Sequence, residues 1–160
     1  MKNLGEYKRL GTTIDDALGE AYDKTAKSLN LGYPGGPIIE KLAELGDGSA
    51  ISFPRPLYNS KEMNFSFSGL KTAVKQEIDS SLPLNKKLRS NICAAFQDSV
   101  IDILENKLQM AVDYFKKNYS NDIDVVLAGG VAIVFAKVTP TNNPPLSPGP
   151  DVTAIAFREL

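Results

Sequence analysis

Gly11–Pro37, GTTIDDALGEAYDKTAKSLNLGYPGGP, decides how this chain is read. Thr13 and Asp16 carry the T-x-x-D spacing of a capping box, which predicts a helix starting near Ile14. Ile14, Ala17, Leu18, Ala21, Tyr22, Thr25, Ala26 and Leu29 recur at helical spacing and make one apolar stripe. Asp16, Glu20, Asp23, Lys24 and Lys27 line the other face, with Glu20–Lys24 and Asp23–Lys27 as favourable i,i+4 pairs. Gly32 suits a helix stop. Pro34 and Gly35 suit the centre of a type II turn. Pro37 suits the first position of a second helix, running to about Leu45 and closed by Gly46.

A glycine turn feeding a helix start gathers free backbone N–H groups at the positive end of the helix dipole, a general way to hold an anionic group. Asp23 is therefore a candidate acceptor for a ribose or a similar hydroxyl-bearing ligand, and Gly36 a place where a missing Cβ lets a ligand approach the backbone. Each has a plainer reading beside it: a solvated, salt-bridged helix face, and an ordinary connection between two helices.

Further along, Ile51–Leu57 holds two prolines and can be at most an edge strand or an extended loop. Asn64–Phe67 alternates, with Phe65 and Phe67 on one side, and Ser68 is placed to cap a helix carrying Leu70, Ala73, Val74 and Ile78. A phosphate could sit at that helix start, with Arg55, Lys71 and Lys75 as a basic patch; a plain cap and scattered surface lysines explain the same residues. From about Asn85 to Asn118 the apolar period continues through Leu88, Ile92, Phe96, Val100, Ile103, Leu108 and Phe115, as one long helix or as two with a break. Asp124–Ala128 reads as a short buried strand ending at Gly129 and Gly130. A helix after those glycines makes them a nucleotide-facing loop; a strand makes them a hairpin turn. Five prolines fall in Thr139–Pro150, a composition expected to be disordered.

The bulk numbers narrow the function. A chain of 160 residues suits one domain with a sizeable core. Its net charge of −1 provides no global attraction to nucleic acid or an anionic membrane, so any RNA contact needs a local patch. No apolar run is long enough to span a bilayer and the start lacks a signal-peptide pattern, so a cytoplasmic location is expected. Cys93 is the lone cysteine, on the apolar side of its helix, and reads as core filler. Histidine is absent altogether, which excludes Ser-His-Asp and Cys-His hydrolases and removes the commonest metal ligand.

Five separated motifs, LGTTIDDALGEAYDKTAKSLNLGYPGGP, FPRP, NFSFSGLKTAV, AAFQDSV and VVLAGGVA, occur in the order found in one family. Together they resemble the tRNA threonylcarbamoyl-adenosine transferase family, formerly called O-sialoglycoprotein endopeptidase or glycoprotease. The resemblance runs from about Asn3 to Ala132. It implies an α/β fold: a partial actin and sugar-kinase-like (duplicated ATPase) fold, the second-lobe portion with a helical insertion, mostly helical with a small sheet. It also implies a division: residues 1–132, with the long helical segment at 82–118, carry the resemblance, and 133–160 is left as a divergent, Pro-rich tail expected to be disordered.

The activity implied is transfer of a threonylcarbamoyl group from threonylcarbamoyl-adenylate to an adenosine beside the tRNA anticodon. The implied cofactors are iron or zinc plus the adenylate or ATP. The implied partners are tRNA, a catalytically inactive paralogue and a small P-loop ATPase, with no membrane. By motif, Asp23 and Gly36 fall on adenylate-contacting positions, and Gly129 and Gly130 on the second glycine loop of the nucleotide cleft.

Departures accompany the match. The family's metal-binding H-x-x-x-H pair has no counterpart here, and no catalytic residue is assigned. Val134 stands where the family has a nucleotide-contacting asparagine, and Asp151 is only a faint echo of its closing metal-binding aspartate. The chain thus reads as a truncated, inactive remnant whose tail arose from a shifted reading frame. The rival reading is a non-catalytic module whose segment 82–118 docks on a partner or on tRNA. A sugar- or acetate-kinase relative fits less well, because the phosphate-loop half and a catalytic carboxylate are missing.

Overall fold

In a computed structural model the described residues are 8–118 and the backbone of 154–157. Strand β1 (Lys8–Thr12) leads into helix α1 (Leu18–Ser28), helix α2 (Gly35–Ala43) and a single 3-10 turn (Gly48–Ala50). An irregular stretch then reaches helix α3 (Ser68–Ser80) and the long helix α4 (Lys86–Asn118). The described chain is mostly helical, as expected. The backbone of β2 (Ala154–Phe157) pairs antiparallel with β1, with Lys8 opposite Phe157, Thr12 opposite Ala154, and an irregularity between Arg9 and Gly11. The predicted strand at Asp124–Ala128, the glycines after it and the proline-rich stretch lie outside the described residues.

Helix α4 is the spine. It runs unbroken, so the alternative of two helices with a break is set aside. Asn85 starts it, its Oδ1 accepting from the Leu88 N–H at 2.8 Å, the geometry of an N-cap. Ile92, Cys93, Ala94, Ala95 and Phe96 are buried in succession, so this turn is covered on several sides. Tyr22 of α1 meets the Phe96 ring edge-on, with centroids 5.0 Å apart. Leu18 and Leu29 from α1, Ile39 from α2, Leu70 and Val74 from α3, and Val100 and Ile103 from α4 complete one core. Cys93 is wholly buried there, and burial pushes its thiol up to about 12, as suits packing and not chemistry.

Local signals misplace several ends. Helix α1 begins at Leu18, four residues after the predicted start, and no side chain caps it. Thr13 Oγ1 donates instead to the Asp16 carbonyl at 2.7 Å, shaping a bend, while the Asp16 carboxylate turns to two lysines. Ile14 consequently lies outside the buried stripe, 62 % exposed. The other end of α1 closes at Asn30, not Gly32. Asn30 takes the left-handed conformation (φ 54°), and Leu31 N–H donates to Ala26 O and Asn30 N–H to Lys27 O, which is a Schellman motif. Arg89 of α4 adds a hydrogen bond to Leu29 O at 3.1 Å, tying that end to the spine.

Helix α2 starts at Gly35, with Pro34 as its extended N-cap, so Gly35 is helical and not the left-handed residue of a type II turn. Pro37 sits at the third helical position. Phe65 and Phe67 lie on one side as their alternation predicts, both buried and stacked with centroids 6.1 Å apart. Phe65 also bridges the end of β1 and the residues just after it: its N–H donates to Thr12 O and its carbonyl accepts from Ile14 N–H, both at 2.9 Å. This lacing sets Asp15 directly at the start of α3.

Candidate functional site

The α1–α2 pair carries Asp23 and Gly36, two of the four candidate residues. Asp23, part-buried on α1, accepts the Gly35 N–H on Oδ1 at 2.7 Å. Its carboxylate thus sits at the first turn of α2, where helix N–H groups lack intrahelical partners and the dipole favours negative charge. No acidic residue lies within that turn itself. The predicted Asp23–Lys27 pair does not form among the described residues, whereas Glu20 and Lys24 do pair, at 2.6 Å.

The two glycines have different jobs. A Cβ on Gly35 would fall 2.7 Å from the Tyr22 carbonyl and 2.8 Å from both Ala26 Cβ and Asp23 Cα. Glycine there lets α2 touch α1. A Cβ on Gly36 would meet nothing within 4 Å. Its flank is open, beside a carboxylate and a helix start, with Tyr33 84 % exposed just before it. The other two predicted site residues, Gly129 and Gly130, lie outside the described residues.

For a second helix start, α3, the sequence suggests a phosphate site or a plain Ser68 cap. It is neither. Ser68 is the first helical residue and offers no cap; the anion is Asp15. Asp15 Oδ1 accepts from Phe67 N–H at 2.8 Å, and Oδ2 accepts from the Ser66 hydroxyl and, at 2.8 Å, from the Ser68 hydroxyl. Burial works against this charge, yet the hydrogen bonds outweigh it and hold the Asp15 carboxyl below the usual carboxylate range. The sequence reading missed Asp15; its signal was an acidic residue left outside the helix once Leu18, not Ile14, began it.

The supposed basic patch disperses. Lys71 pairs with Asp16 at 2.6 Å and Lys24 with the same carboxylate at 2.9 Å, joining α3 to α1. Hydrogen bonds from Lys71 and Lys24 hold Asp16 below its ordinary range. Arg55 pairs with Asp102 at 2.9 Å. Lys75 stays at the surface.

An iron or zinc centre does not fit these residues. The chain has no histidine, Cys93 is enclosed in the core, and among the described residues no cluster of acidic or thiol groups could hold a metal ion. Burial first, and then the neighbouring Asp102 carboxylate, push the Asp98 carboxyl above its usual range, opposed by the Arg55 cation nearby. Nor is any helix of the described residues long and apolar enough to cross a membrane.

The family model TsaD, tRNA N6-adenosine threonylcarbamoyltransferase, matches residues 1–142. The chain belongs to this family. A tRNA N6-adenosine threonylcarbamoyltransferase of Bartonella bacilliformis is 52 % identical over 136 residues, covering 81 % of this chain and 37 % of that protein. One from Brucella suis is 48 % identical over 134 residues, covering 82 % and 37 %. Another, from Rhodopseudomonas palustris, is 47 % identical over 129 residues, covering 81 % and 36 %. The chain therefore spans little more than a third of the length of these threonylcarbamoyltransferases, and Asp23, Gly35 and Gly36 lie inside the matched stretch.

Proposed function

We propose that this chain supplies part of an adenylate site for threonylcarbamoyl transfer to an adenosine of tRNA, within a partial actin and sugar-kinase-like fold. The observation that carries the reading is the start of α2: Asp23 at its first turn and the unobstructed flank of Gly36. In this reading the second Asp23 oxygen accepts a ribose hydroxyl, while Gly36 lets the ligand approach the backbone. By family motif, Gly129 and Gly130 are the second glycine loop of the same nucleotide site in this reading. The contribution is positioning: a held adenylate presents its acyl group in one orientation, which lowers the entropic part of the barrier.

In this reading the described residues do not hold the family's iron or zinc, and tRNA, an inactive paralogue and a small P-loop ATPase are the partners. This chain as sole transferase then transfers nothing. Modified adenosine appearing in tRNA with this chain as the only transferase, beside its partner proteins, overturns that claim.

The direct test is a thermal melt with and without excess ATP and magnesium. Ligand at about a hundred times its dissociation constant adds roughly 2.7 kcal/mol. For a chain of this size that raises the midpoint on the order of 5–10 °C. A cooperative melt that does not move removes Asp23 and Gly36 from the nucleotide site.

A further inference from the structure

Between Phe53 and Met63 the chain crosses α4 without helix or strand, yet it is held at two points by buried or half-buried cations. Arg55 pairs with Asp102 of α4 and donates from Nη1 to Phe53 O at 2.6 Å. Lys107, one of the largest wholly buried side chains, donates from Nζ to Leu57 O at 2.6 Å and to Ser60 O at 3.1 Å. An ammonium is costly to bury unless its donors are satisfied, so these carbonyls are what keeps it inside. Leu57 is left-handed (φ 58°), a conformation a non-glycine residue keeps only when its surroundings over-determine it. The carbonyl that Lys107 grips is that of this residue.

Gripping Leu57 and Ser60 leaves the two residues between them at the surface. Tyr58 is 41 % exposed, and Asn59 and Lys61 are exposed beside it. A loop fixed from beneath, with an aromatic ring, an amide and an ammonium on top, carries the three groups that bind an unpaired nucleotide: a stacking face, a base-edge partner and a phosphate partner. A protein interface would instead need an apolar centre around the ring, whereas the exposed neighbours here are Asn59, Lys61 and Glu62. We propose that the tip Tyr58–Lys61 is a contact for an unpaired base of RNA. The proposal rests on the transferase reading above, which makes tRNA the RNA concerned.

The test is fluorescence anisotropy with two labelled RNAs, a hairpin with unpaired adenine in its loop and a blunt duplex of the same stem. The hairpin binds more tightly than the duplex. Tyr58→Ala weakens hairpin binding roughly five- to 150-fold with the melt unchanged, while Tyr58→Phe, which keeps the stacking face, binds as the wild type does. Lys61→Ala lowers the salt dependence by about one ion. Wild-type binding by Tyr58→Ala overturns the proposal, as does a cooperatively melting chain that binds neither RNA. A nucleotide-induced melt shift together with Tyr58-independent RNA binding discards this surface and keeps the adenylate site. Tyr58-dependent binding without that shift does the reverse.

Discussion

Two helices of this molecule begin on carboxylates borrowed from the same short stretch, and they use them differently. Helix α3 takes Asp15, both of whose oxygens are engaged, on Ser66, Phe67 and Ser68. Helix α2 takes Asp23, which accepts one N–H from Gly35, with empty space beside Gly36. The first start is closed by the chain itself and has no need of a ligand. At the second, the open flank leaves room for one. A glycine or serine before a helix thus says little about anion binding until the internal anion has been located.

Substitutions at four positions probe that difference, in descending order of effect. Gly35→Val drives a branched side chain into the Tyr22 carbonyl and Asp23 backbone, and should cost more than about 3 kcal/mol, beyond the ordinary range for overpacking. Denaturant unfolding measures it, and a loss under about 1 kcal/mol would mean that α2 does not pack on α1 as described.

Asp15→Ala removes the α3 cap and leaves the buried Ser66 hydroxyl short of a partner, for a loss of about 1–3 kcal/mol. The pH dependence has a definite sign. The Asp15 and Asp16 carboxyls are held below their unfolded value, so their contribution is complete above that value and disappears as pH falls through the folded one. Stability should therefore drop on acidification below about pH 4, and Asp15→Asn should flatten that limb of the titration. An unchanged acid limb in Asp15→Asn would show that Asp15 is not the anion at α3.

Asp23→Ala gives up a single cap, about 0.5–2 kcal/mol, with a second effect that Asp15→Ala lacks: the ATP-induced melt shift disappears. If both variants retain the shift equally, the two helix starts do not differ in ligand binding. Gly36→Ala has the smallest effect on folding. The helical backbone and open space accept the methyl group, so stability should rise by about 0.4–1 kcal/mol while the nucleotide response weakens. A loss of stability there would place a neighbour where the structure has none.

Much of the architecture was readable from residue order. The apolar stripe Leu18–Leu29, the alternation at Phe65 and Phe67 and the long period through α4 each encode a buried face, because burial depends on a spacing the sequence displays directly. Helix ends were less legible. Thr13, Gly32 and Ser68 all match a capping preference, yet Thr13 makes a bend, Asn30 does the stopping and Asp15 caps α3 from 53 residues before Ser68. Local preference ranks the candidates; a partner brought in from afar chooses among them. Lys107 is the extreme case. Nothing in its helical period separates it from a surface lysine, and only the carbonyls of Leu57 and Ser60 explain its burial.

By itself the sequence determined the family, through five ordered motifs, along with the helical stripes and the absence of histidine. Tertiary structure alone decided which of two look-alike helix starts stays open, which of two adjacent glycines is a packing necessity, and where the charges of Asp15, Asp16, Arg55 and Lys107 go. The reason is physical. Apolar spacing acts along the chain, whereas the partner of a buried polar group is whatever the fold carries to within hydrogen-bond reach.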